Sequence, residues 1–196
     1  MTFKIKVIGL TGKYCSGKNH VAGILEKNGY PILDVDALGH KVIEMEKDAI
    51  INLFGQDIIG KDGNIDRKAL GAKVFGNPEK LAALEGIVHP GANRETVSWI
   101  NKQDKPCFIN AALLHRSSVF DFLDAIIIVK ASFFSRILRA IKRDKLPLKA
   151  ILKRIKTQKN FYTQYFSRKT DILIVKNSGF TKPENRIKGI LSHLGI

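Results

Sequence analysis

The chain has 196 residues, 44% of them hydrophobic and 26% charged, a balance that suits one soluble globular domain and excludes a disordered tail. No run approaches the ~18 consecutive apolar residues of a membrane span, and the opening MTFKIKVIGLTGKYC has no apolar signal core, so a cytoplasmic location is expected. Thirty-three Lys and Arg against 18 Asp and Glu give a net charge of +15, which calls for an anionic counterpart such as nucleic acid, a membrane surface or a polyphosphate.

Residues 4–10 (KIKVIGL) predict a strand, and a Gly-containing turn over residues 11–17 follows it. Val21, Ile24 and Leu25 then mark one face of a helix. A second short strand is predicted over residues 31–35 (PILDV), with Asp34 and Asp36 at its end. Residues 37–101 hold no convincing strand, and turn chemistry at Lys61-Asp62-Gly63-Asn64 and Gly76-Asn77-Pro78 predicts a helical insertion. Continuous apolar runs at 107–111 (CFINA), 125–129 (AIIIV) and 172–175 (ILIV) match buried parallel strands, because half-exposed strands alternate. Before the last of these lies a basic segment, with twelve basic residues and one acid over residues 136–169. In and just before it, Phe133, Phe134, Ile137, Leu138 and Ile141 form one apolar stripe and Leu148, Ile151, Leu152 and Ile155 another, and Pro147 is expected to break the segment into a pair of helices. Five strands interleaved with helices predict an α/β fold, a doubly wound five-stranded parallel sheet whose ligands sit at strand carboxyl ends near a switch point. Cys15 and Cys107 are too few for a disulfide framework and show no zinc-knuckle spacing, so both are read as free thiols.

The turn after the first strand reads Gly12-Lys13-Tyr14-Cys15-Ser16-Gly17-Lys18-Asn19, which fits G-x-x-x-x-G-K and then places Asn19 where Ser or Thr is usual. Glycines let the backbone curl so that successive N–H groups face phosphate oxygens, the next helix aims its N-terminus at them, and Lys18 reaches the β- and γ-phosphates. Tyr14 and Cys15 are expected to contribute backbone N–H groups. Asn19 Oδ1 is a hard neutral oxygen one bond further out than a hydroxyl. It would ligate a metal directly, hold a metal-bound water, or do neither.

The runs GLTGKYCSGKNH and ILDVDALGH resemble the opening of the dephospho-CoA kinase family. Further landmarks follow in the family's order: Phe54-Gly55, Asp62-Gly63, Asp66-Arg67, Val74-Phe75, Leu84-Glu85, His89-Pro90, Arg139, Arg143-Asp144, Arg154-Ile155, Gln158, Asp171 and Asn177-Ser178-Gly179. The departures are Lys13, Tyr14, Cys15, Asn19 and His20 in a loop that usually reads GGIGSGKST, and Ala112-Leu113-Leu114-His115-Arg116 in place of PLLFE. Nothing in the sequence explains Arg116. The resemblance implies a P-loop kinase that moves the γ-phosphate of ATP to the ribose 3′-hydroxyl of dephospho-CoA, with Mg²⁺ accompanying ATP. It also implies a threefold organisation: a nucleotide-binding core at residues 1–36, 102–135 and 167–196, a helical acceptor-binding insertion at 37–101, and an Arg-rich lid at 136–166. The competing readings are a nucleoside or nucleotide kinase on the same core and a nucleotide-binding regulator with weakened catalysis. No nucleic-acid partner is expected, since no aromatic RNP pattern or recognition-helix signature is present, and no membrane partner.

The resemblance assigns the general base to Asp36, for which Asp34 on the same side of the strand competes; capping a following helix is the bland alternative for either acid. Arg136, Arg139 and Arg143, spaced i, i+3, i+7, line one helix face opposite the Phe133 stripe. Such a face closes over a triphosphate or is simply solvated, and the resemblance supports Arg139 and Arg143 as lid residues. His89 is expected at the acceptor site or as a helix-end histidine, and Arg67 on an acceptor phosphate or paired with Asp66 or Asp62. Gly12, Lys13, Tyr14, Cys15, Ser16, Gly17, Lys18, Asn19 and His20 would line ATP, with Asn177 and Gly179 in a turn near the adenine. His40, His115 and His193 have no ligand spacing and are read as structural.

Overall fold

A strand paired on both sides and covered on both faces has to be apolar throughout. In the computed structural model, which describes residues 3–166, 170–179 and 182–196, β1 (Val7–Gly12) is buried at every position. It pairs in parallel with β3 (Cys107–Asn110) and β4 (Ala125–Lys130), while β2 (Ile32–Asp34) and β5 (Asp171–Lys176) close the two edges. The order β2-β3-β1-β4-β5 is that of a doubly wound sheet, and its topological switch lies between β1 and β3, where connections leave in opposite directions. Register places Asn110 opposite both Leu10 and Asp34 at the carboxyl ends of these strands. The first strand begins three residues later than expected, at Val7, so Lys4 and Lys6 stay outside the covered sheet.

Alternation along β1 sends Ile8 and Leu10 to one face, where they pack with Phe108, Ile127 and Val129 against Val21 and Leu25 of α1 (Lys18–Lys27) and Ile187 and Ile190 of α9 (Pro183–Leu194). Gly9 points the other way. A Cβ there would come within 2.5 Å of Leu114 Cδ2 and 2.8 Å of Leu123 Cδ1, so those two side chains occupy the space that the glycine leaves.

The chain divides into two compact units, residues 1–34 with 100–196, and residues 35–99. The second unit contains α2 (Val35–Met45), α3 (Lys47–Phe54), α4 (Arg67–Val74) and most of α5 (Pro78–Asn101). Its core is Ile50, Phe54, Ile58, Ile65, Leu70 and Val74, with Leu84, Ile87 and Val88 packed on it. The Asp62-Gly63 turn, with Gly63 at φ +78°, brings Ile59 and Ile65 into an isolated antiparallel bridge. Asp66 caps α4 by accepting from Lys68 and Ala69 N–H. Pro90 lies inside α5. One proline forfeits a single i→i−4 bond, and the contacts of Leu84, Ile87 and Val88 hold the turn before it in place.

In the first unit, α6 (Phe133–Asp144), α7 (Leu148–Lys156) and α8 (Thr163–Phe166) follow β4. Ser132 caps α6, and Pro147 separates α6 from α7 as expected. The orientation of α6 reverses the sequence expectation. Arg136 and Ala140 are its buried residues, whereas Phe134 is 77% and Leu138 68% exposed. Only Ile137 of the apolar stripe reaches a core, beside Cys15, Ala140, Ile151 and Ile155.

Candidate active site

The loop between β1 and α1 curls because two of its residues take left-handed backbone angles, Cys15 at φ +57° and Gly17 at φ +91°. Gly17 stands at the N-cap of α1 with no side-chain cap, and the first turn carries no acid, so the helix offers its positive end to an anion. Glycine is required at both signature positions. A Cβ on Gly12 would lie 2.4 Å from Ser16 Oγ and 2.6 Å from the Val129 carbonyl, and one on Gly17 would lie 2.0 Å from Asn177 Nδ2. Lys18 opens α1, half-buried, and Asn19 and His20 beside it are exposed.

Two arginines of α6 hold the loop from behind. Arg136, 6% exposed, donates from Nε to the Tyr14 carbonyl (2.7 Å) and from an η-nitrogen to Gln158 Oε1 (3.2 Å). Gln158 Oε1 also accepts the Tyr14 N–H (2.7 Å), so that N–H, expected to face phosphate, is turned to a glutamine instead. Arg139 donates to the Ser16 carbonyl at 3.0 Å and the Asn177 carbonyl at 2.8 Å, and Asn177 Nδ2 returns to the Ser16 carbonyl at 3.1 Å. The turn that carries Asn177 and Gly179 is thereby tied to the loop, with Gly179 at φ +56°.

Arg143 lies further along the same helix and pairs with Asp144 through two contacts, 2.6 and 3.2 Å, while its guanidinium stands 5.3 Å from the centroid of the Tyr14 ring. Arg154 of α7 approaches the same ring at 5.9 Å and the same carboxylate at 3.5 Å. The Tyr14 hydroxyl donates to Asp144. The Arg143 guanidinium and the Tyr14 hydroxyl together hold the Asp144 carboxyl at about 2, and burial together with that hydrogen bond pushes the Tyr14 phenol up. Lys13 lies over the Tyr162 ring (4.5 Å), and partial burial with Arg136 and Lys130 nearby draws its pKa down. Burial also raises both thiols, Cys15 in the loop and Cys107 in β3, the latter to about 12.

At the open ends of the strands, Asn110 Nδ2 donates to Asn19 Oδ1 and Asp34 Oδ2, each at 3.3 Å. Asn110 Oδ1 and Ser16 Oγ are the buried side-chain polar atoms without a partner among the described residues. Asp36 is displaced from its expected place at a strand end: β2 stops at Asp34, and Asp36 lies exposed in the first turn of α2 in the second unit. Arg67 is the first residue of α4 and His89 lies in mid-α5; both are exposed, so the helix-end reading of His89 fails. Of the two acids weighed as partners for Arg67, Asp66 caps α4 and Asp62 accepts from Asn64. His115 Nδ1 lies 3.3 Å from the Tyr165 hydroxyl.

A parallel sheet with a glycine-curled anion loop between β1 and α1, set at the switch point and backed by arginines, defines the class of P-loop kinases. The family model described as CoaE: Dephospho-CoA kinase matches residues 6–182. The chain is 35% identical over 182 residues to the dephospho-CoA kinase of Treponema denticola, covering 87% of this chain and 82% of that one. It is 36% identical over 177 residues to that of Fusobacterium nucleatum, covering 89% and 91%. A crystal structure of a Thermus thermophilus protein, 30% identical, superposes with a TM-score of 0.82 over 96% of this chain and 97% of its own. The chain belongs to the dephospho-CoA kinase family.

Proposed function

We propose that this protein phosphorylates the ribose 3′-hydroxyl of dephospho-CoA with ATP, in the cytoplasm. The observation that carries the reading is the family match over residues 6–182 on a chain whose β1–α1 loop has the glycine geometry of a phosphate cradle. The loop between Gly12 and Lys18, apart from the Tyr14 and Ser16 N–H groups that bond within the protein, receives the β- and γ-phosphates, and the Lys18 ammonium adds the charge that a curled loop lacks. Asp36 takes the proton of the acceptor hydroxyl; that oxygen bonds to the γ-phosphorus as the β–γ bridging bond breaks and ADP departs. Arg139 and Arg143 belong to the arginine helix that meets charge spread over the transferring group, and Arg67 and His89, exposed in the helical unit, serve the acceptor. Asn177 and Gly179 form the turn beside the base.

The donor chemistry near Asn19 fits Mg²⁺, since an amide oxygen and the Asp34 carboxylate, both hard donors, converge on one asparagine. Mg²⁺ bound with ATP would supply charge neutralisation on the β- and γ-oxygens, with Asn19 holding it directly or through a water. Incubating the protein with ATP, Mg²⁺ and dephospho-CoA, AMP or adenosine in parallel, with ADP release as the readout, tests the assignment. Release is expected with dephospho-CoA, and release with AMP or adenosine alone would overturn it.

A further inference from the structure

Helix α6 has an inner face tied to the phosphate loop and an outer face that is apolar and exposed. Phe134, Leu138 and Ile141 follow one another there at steps of four and three residues, with the Phe133 ring edge-on to Phe134. Steps of four from Leu138 and Ile141 reach Lys142 and Lys145, so the apolar row ends in ammonium groups. The cations continue past Pro147. On α7, Lys149, Lys153 and Lys156 are exposed at i, i+4, i+7, and with Lys159 they line an open groove of about 910 Å³ shared with Pro147, Ala150 and Leu152. Arginines and lysines of this helix pair are put to different uses. Arg136 and Arg139 bond the loop carbonyls, and Arg143 and Arg154 pair with Asp144, the single acid of residues 133–166. None of the six lysines has an acidic partner among the described residues.

We infer that the α6–α7 pair docks on an anionic lipid surface. Phe133, Phe134, Leu138 and Ile141 enter the boundary between headgroups and acyl chains, and the lysines meet lipid phosphates. Helices that lie in that boundary carry bulky apolar residues on one side and cations around them, and an anionic leaflet attracts every lysine brought within a Debye length of it. Lysine suits the position, because its long apolar stem rests at the level of the buried rings while its charge reaches the headgroups. An acidic protein groove would have to enclose a helix whose opposite face is already fastened to the loop, whereas a lipid surface needs one face only. The sequence expectation of no membrane partner holds only with the apolar stripe turned inward; the loop's demand for arginine donors turns it out.

Co-sedimentation of the full chain with vesicles of phosphatidylcholine, alone or in equal parts with phosphatidylglycerol, tests this. At low salt the wild type should bind the mixed vesicles about tenfold or more over the neutral ones, and high salt should release it. Phe134→Ser with Leu138→Ser should lower binding by about tenfold or more. Lys149→Gln with Lys153→Gln should weaken it more than Lys61→Gln with Lys68→Gln, which removes the same charge from exposed lysines of the other unit. Phe134→Trp should gain fluorescence that brominated acyl chains quench, beyond any quenching of Trp99 in the wild type. No binding to mixed vesicles, equal binding to both kinds, unaltered binding of the serine variant or equal losses in the two glutamine variants would overturn the inference. So would a wild-type dimer in sedimentation equilibrium that the serine variant abolishes, since the face would then cover a second copy. Should the serine variant fail to fold, an absence of added quenching in Phe134→Trp overturns it.

Discussion

Lys18 follows a glycine that no other residue can replace without displacing Asn177. The local spacing rule finds such residues because loop, cap and cation are neighbours in the chain. The same proximity makes Gly17 testable. Gly17→Ala adds a left-handed backbone penalty of roughly 1 kcal/mol and pushes Asn177 off the Ser16 carbonyl, so thermal unfolding should fall by several degrees and ATP affinity with it. Gly23→Ala, inside α1 with nothing within 4 Å of the added methyl, should instead gain about 0.5–1 kcal/mol; equal effects at the two sites would contradict the account of the loop. The two acids separate by what they are asked to do. Asp36→Asn should lower kcat by about 10² to 10⁴-fold with ATP affinity intact, while Asp34→Asn should act on the Mg²⁺ dependence of ATP binding. If steady-state kinetics gave Asp34→Asn the larger fall in kcat, the base would be Asp34. Asn110, Gln158 and Asp144 are not legible in the sequence as anchors of the loop and its surroundings, because their partners lie 91, 144 and 130 positions away, beyond any pattern of spacing.

Helix α6 shows where periodicity misleads. Its apolar and basic faces are both visible in the sequence, and the usual inference turns the apolar one inward. The loop reverses that choice. Its carbonyls at Tyr14 and Ser16 need donors away from water, and Arg136 and Arg139 are long enough to supply them. A buried guanidinium is tolerated only when such acceptors meet it. Arg136→Met keeps the bulk and removes the donors, and should cost about 2–3 kcal/mol, a fall in melting temperature of roughly 4–12 °C for a chain of this size. Leu138→Ser on the outer face should stay within about 0.5 kcal/mol. Calorimetric melting of the two variants ranks them, and a larger loss at Leu138 would mean that the helix is inverted.

At the scale of the molecule, the five-stranded parallel sheet follows from the sequence with small shifts of boundary, since AIIIV and ILIV leave little choice once both faces must be covered. The helical character of residues 35–99 is equally legible, because Asp66 and Gly63 carry local signals for a cap and a turn. At Pro90 a local signal for ending a helix yields to packing further along it. The outward face of α6 also has a consequence for the protein as a particle in solution. Phe133, Phe134, Leu138 and Ile141 present greasy surface to the medium, on a body whose +15 charge makes copies repel one another. In dilute buffer that repulsion reaches some tens of ångströms, and at molar salt only about 3 Å. Added salt thus converts a self-repelling colloid into one with a sticky flank, and low ionic strength is the medium in which this chain keeps best.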